Sequence, residues 1–146
     1  MPQISRWKLK SEIWDQIFNI LLQAVKRTNK KDKAELFLNF LLTPTEQKMV
    51  AKRLMAALML MKGATYDEIH LAIHLSPSTI AKVKNNLETY PEYKKIISKL
   101  LDDELFKKDF LKFAKRLGKL LSIGKGGIFW YELSEYSRKK LKNKII

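Results

Sequence analysis

Along SEIWDQIFNILLQAVKR (residues 11–27), Ile13, Trp14, Ile17, Phe18, Leu21, Leu22 and Val25 recur at helical spacing. The pattern predicts a first helix with a wide apolar arc. In so small a protein, an arc of that width is expected to pack against a second chain as well as its own. TNKKDK (28–33) reads as a polar break, and AELFLNFLL (34–42) predicts a short second helix. TPTE (43–46) then has the form of a capping box: Thr43 as N-cap, Pro44 at the first helical position and Glu46 three residues after the cap. The helix it opens is predicted to run to Lys62, where Gly63 stops it.

Two more starts follow closely. TYDE (65–68) is a second capping box, opening a helix through about Ile73, and SPST (76–79) supplies Ser76 as N-cap with Pro77 behind it. The pair 65–73 and 77–88, joined by His74–Ser76, has the size and spacing of a helix-turn-helix. In its second helix Ile80, Val83 and Leu87 form the stripe expected to be buried, packed on Ile69, Ala72, Ile73 and Leu75. The opposite surface carries Ser78, Ala81, Lys82 and Asn85, with Thr79 and Asn86 toward the flank. No acidic residue interrupts the stretch from Ile69 until Glu88. Small, hydrogen-bonding or positive groups suit a crowded, phosphate-lined groove in which carboxylates would be repelled. An ordinary helical hairpin with a solvated polar face is the competing interpretation.

Pro91, within TYPEYKK (89–95), is expected to end the recognition-helix region. Residues 93–123 predict one or two amphipathic helices, using Ile96, Ile97, Leu100, Leu101, Leu105, Phe106, Phe110, Phe113, Leu117 and Leu120. GKGG (124–127) lacks the spacing of a phosphate-binding loop and reads as a turn before a last short helix. There Ile128, Phe129, Trp130 and Tyr131 would tuck onto the body, ahead of a solvated basic end, RKKLKNK (138–144). The expected organisation is a domain over 1–91 and a basic helical extension over 92–146.

Charge sharpens this picture. Lysine and arginine number 29 against 15 acidic residues, a net charge of +14, spread as +4 over 1–42, +3 over 43–87 and +7 over 88–146. An anionic partner is expected, nucleic acid before a membrane surface. The apolar run LMAALMLM (54–61) is too short to span a bilayer, and the first residues lack the apolar core of a signal peptide, so a cytoplasmic protein without membrane attachment is expected. There is no cysteine, and His70 and His74 lack both the intervening glutamate of a zinc-protease helix and a third ligand. No paired nucleophile and base, metal set or cofactor loop is found, so neither catalysis nor a cofactor is expected. The cluster Asp102, Asp103, Glu104 has no chemical partners.

Residues 42–87 resemble the tryptophan repressor superfamily, and its branch of small repressor-like proteins more than the tryptophan repressor itself. The resemblance rests on Leu42, Thr43, Pro44 and Glu46, then Arg53, Leu54 and Gly63. It continues through Glu68 and Ile69 to Thr79, Ile80, Asn85 and Leu87; each match is weak alone and specific as an ensemble. The preceding helices extend it to 11–87. It implies an all-α fold: an intertwined helical homodimer with a helix-turn-helix, to which this chain adds a C-terminal helical region. The first helices would form the dimer core, and each second motif helix would enter a major groove of double-stranded DNA. It further implies that Pro77, Ser78 and Ala81 lie at base edges and that Thr79 and His70 meet phosphates.

The superfamily's effector pocket carries over in part. Thr43 and Arg53 match pocket residues, making them candidates for an effector or structural pocket. The second pocket arginine is Lys82 here, a pocket glycine is Val83, and the segment after Gly63 is one residue shorter. A branched side chain where an indole needs room argues against tryptophan, while some other small-molecule effector stays open. Arg53 reads first as a surface or intrahelical ion pair and second as a clamp for a small anion.

The expected function is therefore a sequence-specific, dimeric transcriptional regulator, a repressor reading a near-palindromic operator. Its DNA-binding residues would be Pro77, Ser78, Thr79, Ala81, Lys82, Asn85, Asn86 and His70. An RNA-binding accessory protein using the basic C-terminal third, or a helical interaction scaffold, are the alternatives.

Overall fold

The computed structural model describes residues 8–121, with side chains through Leu117, and within them the chain is entirely helical. The predicted segments at 124–131 and 138–144, and the Leu120 side chain, lie outside the described residues. Helices α1 (Ser11–Arg27), α2 (Lys31–Leu41) and α3 (Pro44–Met61) are followed by α4 (Tyr66–Ile73), α5 (Pro77–Thr89), α6 (Pro91–Asp102) and α7 (Glu104–Leu121). The chain divides between Gln47 and Lys48 into two units.

The first unit holds α1, α2 and the first turn of α3. α1 has the predicted bounds, and α2 starts three residues earlier than the pattern suggests. Lys31, Asp32 and Lys33 are adequate helix formers, and Asp32 sits in the first turn, where a negative charge meets the positive end of the helix dipole. The break is thus confined to Thr28–Lys30, with the Thr28 hydroxyl donating to the Val25 carbonyl (2.8 Å). Neither helix buries a residue. Trp14 and Phe18 stack, ring centroids 5.7 Å apart, yet remain about half exposed, and Phe40 is 86% exposed.

The capping box at the start of α3 forms as predicted. The Thr43 amide donates to Glu46 Oε2 (2.7 Å) and the Glu46 amide to Thr43 Oγ1 (3.3 Å). The Thr43 backbone and side-chain bonds hold the Glu46 carboxyl below its ordinary value of 4.5.

The second unit has a core. The far end of α3 supplies Ala56, Ala57, Leu58 and Met59, joined by Ala64, Ile69, Ile73, Ile80 and Leu87 and by Ile97, Leu101, Phe110, Leu111 and Ala114. Burying each large aliphatic side chain contributes on the order of 1.5–3 kcal/mol. α3 ends in a Schellman turn: Gly63 takes φ 82°, its amide donates to Leu60 O (3.0 Å) and that of Ala64 to Met59 O (3.0 Å). Ala64 and Met59 are both buried, so the chain is turned back directly onto the core.

α4 packs on α5, α5 on α6, and α7 on both α6 and α4. Pro91 closes the α5 region as expected, with α5 ending at Thr89, but it also opens the next helix. It stands at N1 of α6, where a missing N–H costs nothing, and Tyr90 is at once the C-cap of α5 and the N-cap of α6. The region beyond forms two helices, separated where Asp103 caps α7 through its side chain and the Phe106 amide (2.8 Å). Ile96 and Leu105, grouped above with the apolar positions, are exposed, whereas Leu111 and Ala114 are buried.

Candidate nucleic-acid interface

The interface is built on α4 and α5. Thr65 caps α4 with both halves of its box in place: its own amide donates to Glu68 Oε2 (2.7 Å), and its hydroxyl accepts from the Glu68 amide (3.2 Å). α4 ends at His74, a non-glycine residue in the left-handed region at φ 51° and ψ 48°. That conformation costs a residue with a Cβ on the order of 1 kcal/mol, and the turn makes up for it with two side-chain anchors. The His70 ring meets the Leu75 carbonyl through Nδ1 (2.8 Å), so Nδ1 carries the proton there and Nε2 is left for another partner. From α3, Lys52 Nζ donates to the His74 carbonyl (3.4 Å). Sequence reasoning does not find Lys52, since nothing local ties it to a turn 22 residues away.

Ser76 starts α5. Its hydroxyl accepts from the Thr79 amide (3.3 Å) and lies within hydrogen-bond distance of the Thr79 (2.9 Å) and Ser78 (3.2 Å) hydroxyls. The Ile80 amide reaches the Ser76 carbonyl (3.0 Å), and Pro77 has no amide hydrogen. The helix therefore opens with a cluster of hydroxyls at its positive end and no acidic residue in its first turn.

Inward, Ile80 and Leu87 are buried and Val83 is half-buried, with Ile69 and Ile73 buried behind them and Ala72 and Leu75 half-buried. Outward, Pro77, Ser78, Ala81, Lys82, Asn85 and Asn86 are exposed, Thr79 is half-buried and His70 is exposed. The structure thus brings these eight positions to the surface of one motif. On the flank of α5, Lys84 lies 3.9 Å from Glu88 and 5.7 Å from the centre of the Tyr66 ring, a tie to the start of α4 that the sequence pattern does not reveal. The two pocket candidates stand apart in kind. Thr43 is occupied as the cap of α3, and Arg53 is exposed.

The family model described as Trp repressor protein matches residues 14–101. This is more than half of the chain, and the protein belongs to that family of helix-turn-helix DNA-binding regulators, a regulatory rather than an enzymatic family. The match continues past Leu87, the last residue of the resemblance in the sequence, through nearly all of α6, and it stops before α7. No curated protein and no solved structure matches the chain. Among the described residues, no helix is long and apolar enough to cross a membrane.

Proposed function

We propose that this protein is a dimeric, sequence-specific repressor that acts by occupying a near-palindromic operator. The carrying observation is the solvent face of α5: Ser78, Ala81, Lys82, Asn85 and Asn86 exposed on a helix whose other side is anchored by Ile80 and Leu87, without a carboxylate before Glu88. Ser78, Ala81 and Asn85 are small or amide-bearing groups suited to base edges, and Lys82 can reach either a base or a phosphate. Pro77 packs close without donating. Thr79, the hydroxyl cluster and, as a doubly protonated ring donating through Nε2–H, His70 meet phosphates and fix the register of the helix.

Two such heads are needed to read an operator of useful length. The unburied apolar faces of α1 and α2 supply the means, by pairing with those of a second copy. In this reading residues 1–91 dimerise and bind DNA while residues 92–146 form a basic extension. The half-sites then fall about 34–36 Å apart on one face of the duplex. Lys82 and Val83 stand where an indole pocket would need an arginine and a glycine, so control by tryptophan is not part of the proposal. Any effector engaging Thr43 or Arg53 would be a different small molecule.

The test is selection from random duplexes by the full chain, at low and moderate salt, with Lys82→Ala in parallel. Enrichment of a palindrome bound by a dimer, with at least a tenfold loss in the variant, supports the reading. Weak binding that ignores sequence and Lys82 and vanishes with salt sinks it, because net charge alone behaves that way.

A further inference from the structure

α7 lies beyond the residues matched by the family model, and its two sides differ sharply. Phe110, Leu111 and Ala114 are buried in the core of the second unit, with Phe106, Phe113 and Leu117 half-buried beside them. On the opposite side Lys108, Lys112, Lys115 and Arg116 recur at i, i+4, i+7 and i+8, all exposed. The carboxylates of the helix are Glu104 at its start and Asp109 at the edge of the basic face. Because α7 packs on α4, the first helix of the reading motif, this row of cations is held by the same core that orients α5.

We infer that the basic face of α7 is a second DNA-contacting surface, which binds phosphates flanking the site read by α5 and so lengthens the footprint of each protomer. The inference rests on the proposed DNA-binding function and adds an interaction that the motif itself does not contain. Two physical points favour duplex DNA as the occupant. Lysines four residues apart on a helix rise about 6 Å, so each can engage its own phosphate without bending the helix. The face also holds no aromatic side chain on which an unpaired base could stack; its one large apolar residue, Leu105, is 76% exposed at the N-terminal end. Interactions of this kind carry affinity but no sequence information, since they go to phosphate. The α7 row therefore raises affinity for operator and non-operator DNA alike.

The experiment compares the full chain, a Lys108→Ala/Lys112→Ala/Lys115→Ala variant, and a control variant that removes the same charge elsewhere, Lys30→Ala/Lys31→Ala/Lys33→Ala. Dissociation constants are measured from low to moderate salt on the selected operator and on a scrambled duplex. All substituted lysines are exposed, and circular dichroism and thermal unfolding check that each variant folds. The expected result for the α7 variant is a salt slope shallower by about 5, because the dimer loses three lysines from each protomer and each phosphate left without its lysine takes roughly 0.9 off the slope. Affinity at low salt should fall at least tenfold on both duplexes, leaving their ratio unchanged, and the control should fall by much less. Equal reductions in the two variants would reduce the effect to net charge and overturn the inference. An unchanged slope in the α7 variant would overturn it as well. Failure of the wild-type chain to prefer any duplex, with Lys82→Ala indistinguishable from it, would instead remove the proposed function on which the inference stands.

Discussion

Residues 8–47 and 48–121 are both rich in apolar helix faces, yet they use them differently. In the second unit those faces meet: Leu58, Ile69 and Ile80 are fully buried, and α4 to α7 pack around them. In the first unit, Ile13, Ile17, Phe18, Leu22, Val25, Leu36 and Phe40 are all exposed. Water is a poor neighbour for so many large apolar groups within one short region, and the proposed dimer would cover them. One region completes its core within a single chain. The other is expected to complete it on a second copy.

The contrast can be broken most forcefully from the core side. Ile80→Ala removes a fully buried side chain from α5, which packs on α4, and should cost about 2–5 kcal/mol of stability. Chemical unfolding will show whether that loss is independent of protein concentration, as expected for a core belonging to one chain. Phe18→Glu attacks the other region. In a lone chain this exposed position should tolerate the change within about 0.5 kcal/mol. If α1 packs on a second copy, the variant should weaken the dimer at least tenfold and abolish the concentration dependence of thermal unfolding. Sedimentation decides between the two, and an unaltered monomer before and after substitution would remove the dimer from the proposal.

The smallest effect concerns the start of α3. The Thr43 bonds lower the pKa of Glu46, so the folded state binds its proton less readily than the unfolded chain does. The resulting stabilisation is fully present above the ordinary value of 4.5 and is lost as pH falls through the lower, folded value. Glu46→Gln should be slightly less stable than wild type at neutral pH, and the gap should close in acid. A gap that stays constant from neutral to acid pH would show that the carboxylate charge does not matter to the cap.

Much of this arrangement is legible in the sequence because it is encoded locally. Thr43 with Glu46, Thr65 with Glu68, and Ser76 with Pro77 announce their helices through neighbours a few residues away, and all three helices start there. The alternation of Ile80, Val83 and Leu87 with Ser78, Lys82 and Asn85 likewise fixes which side of α5 faces out. What is not legible depends on distant partners. Lys52 anchors a turn from another helix, Tyr66 and Lys84 meet across two, and Leu111 and Ala114 rather than Ile96 and Leu105 are buried because of where α7 lands. Pro91 is legible only by half: it marks the end of α5, as expected, but the same residue also favours a helix beginning there.

The sharing of Tyr90 between two helices has a consequence for how this sequence can vary. A single residue separates α5 from α6, with no slack on either side. Adding or removing one residue at that joint would turn α6 by about 100° about its axis and carry Ile97 and Leu101 out of the core. Length changes in relatives should therefore be absent at Tyr90 and fall instead in the longer breaks, Thr28–Lys30 and Lys62–Thr65. The joint behaves less like a linker than like a splice.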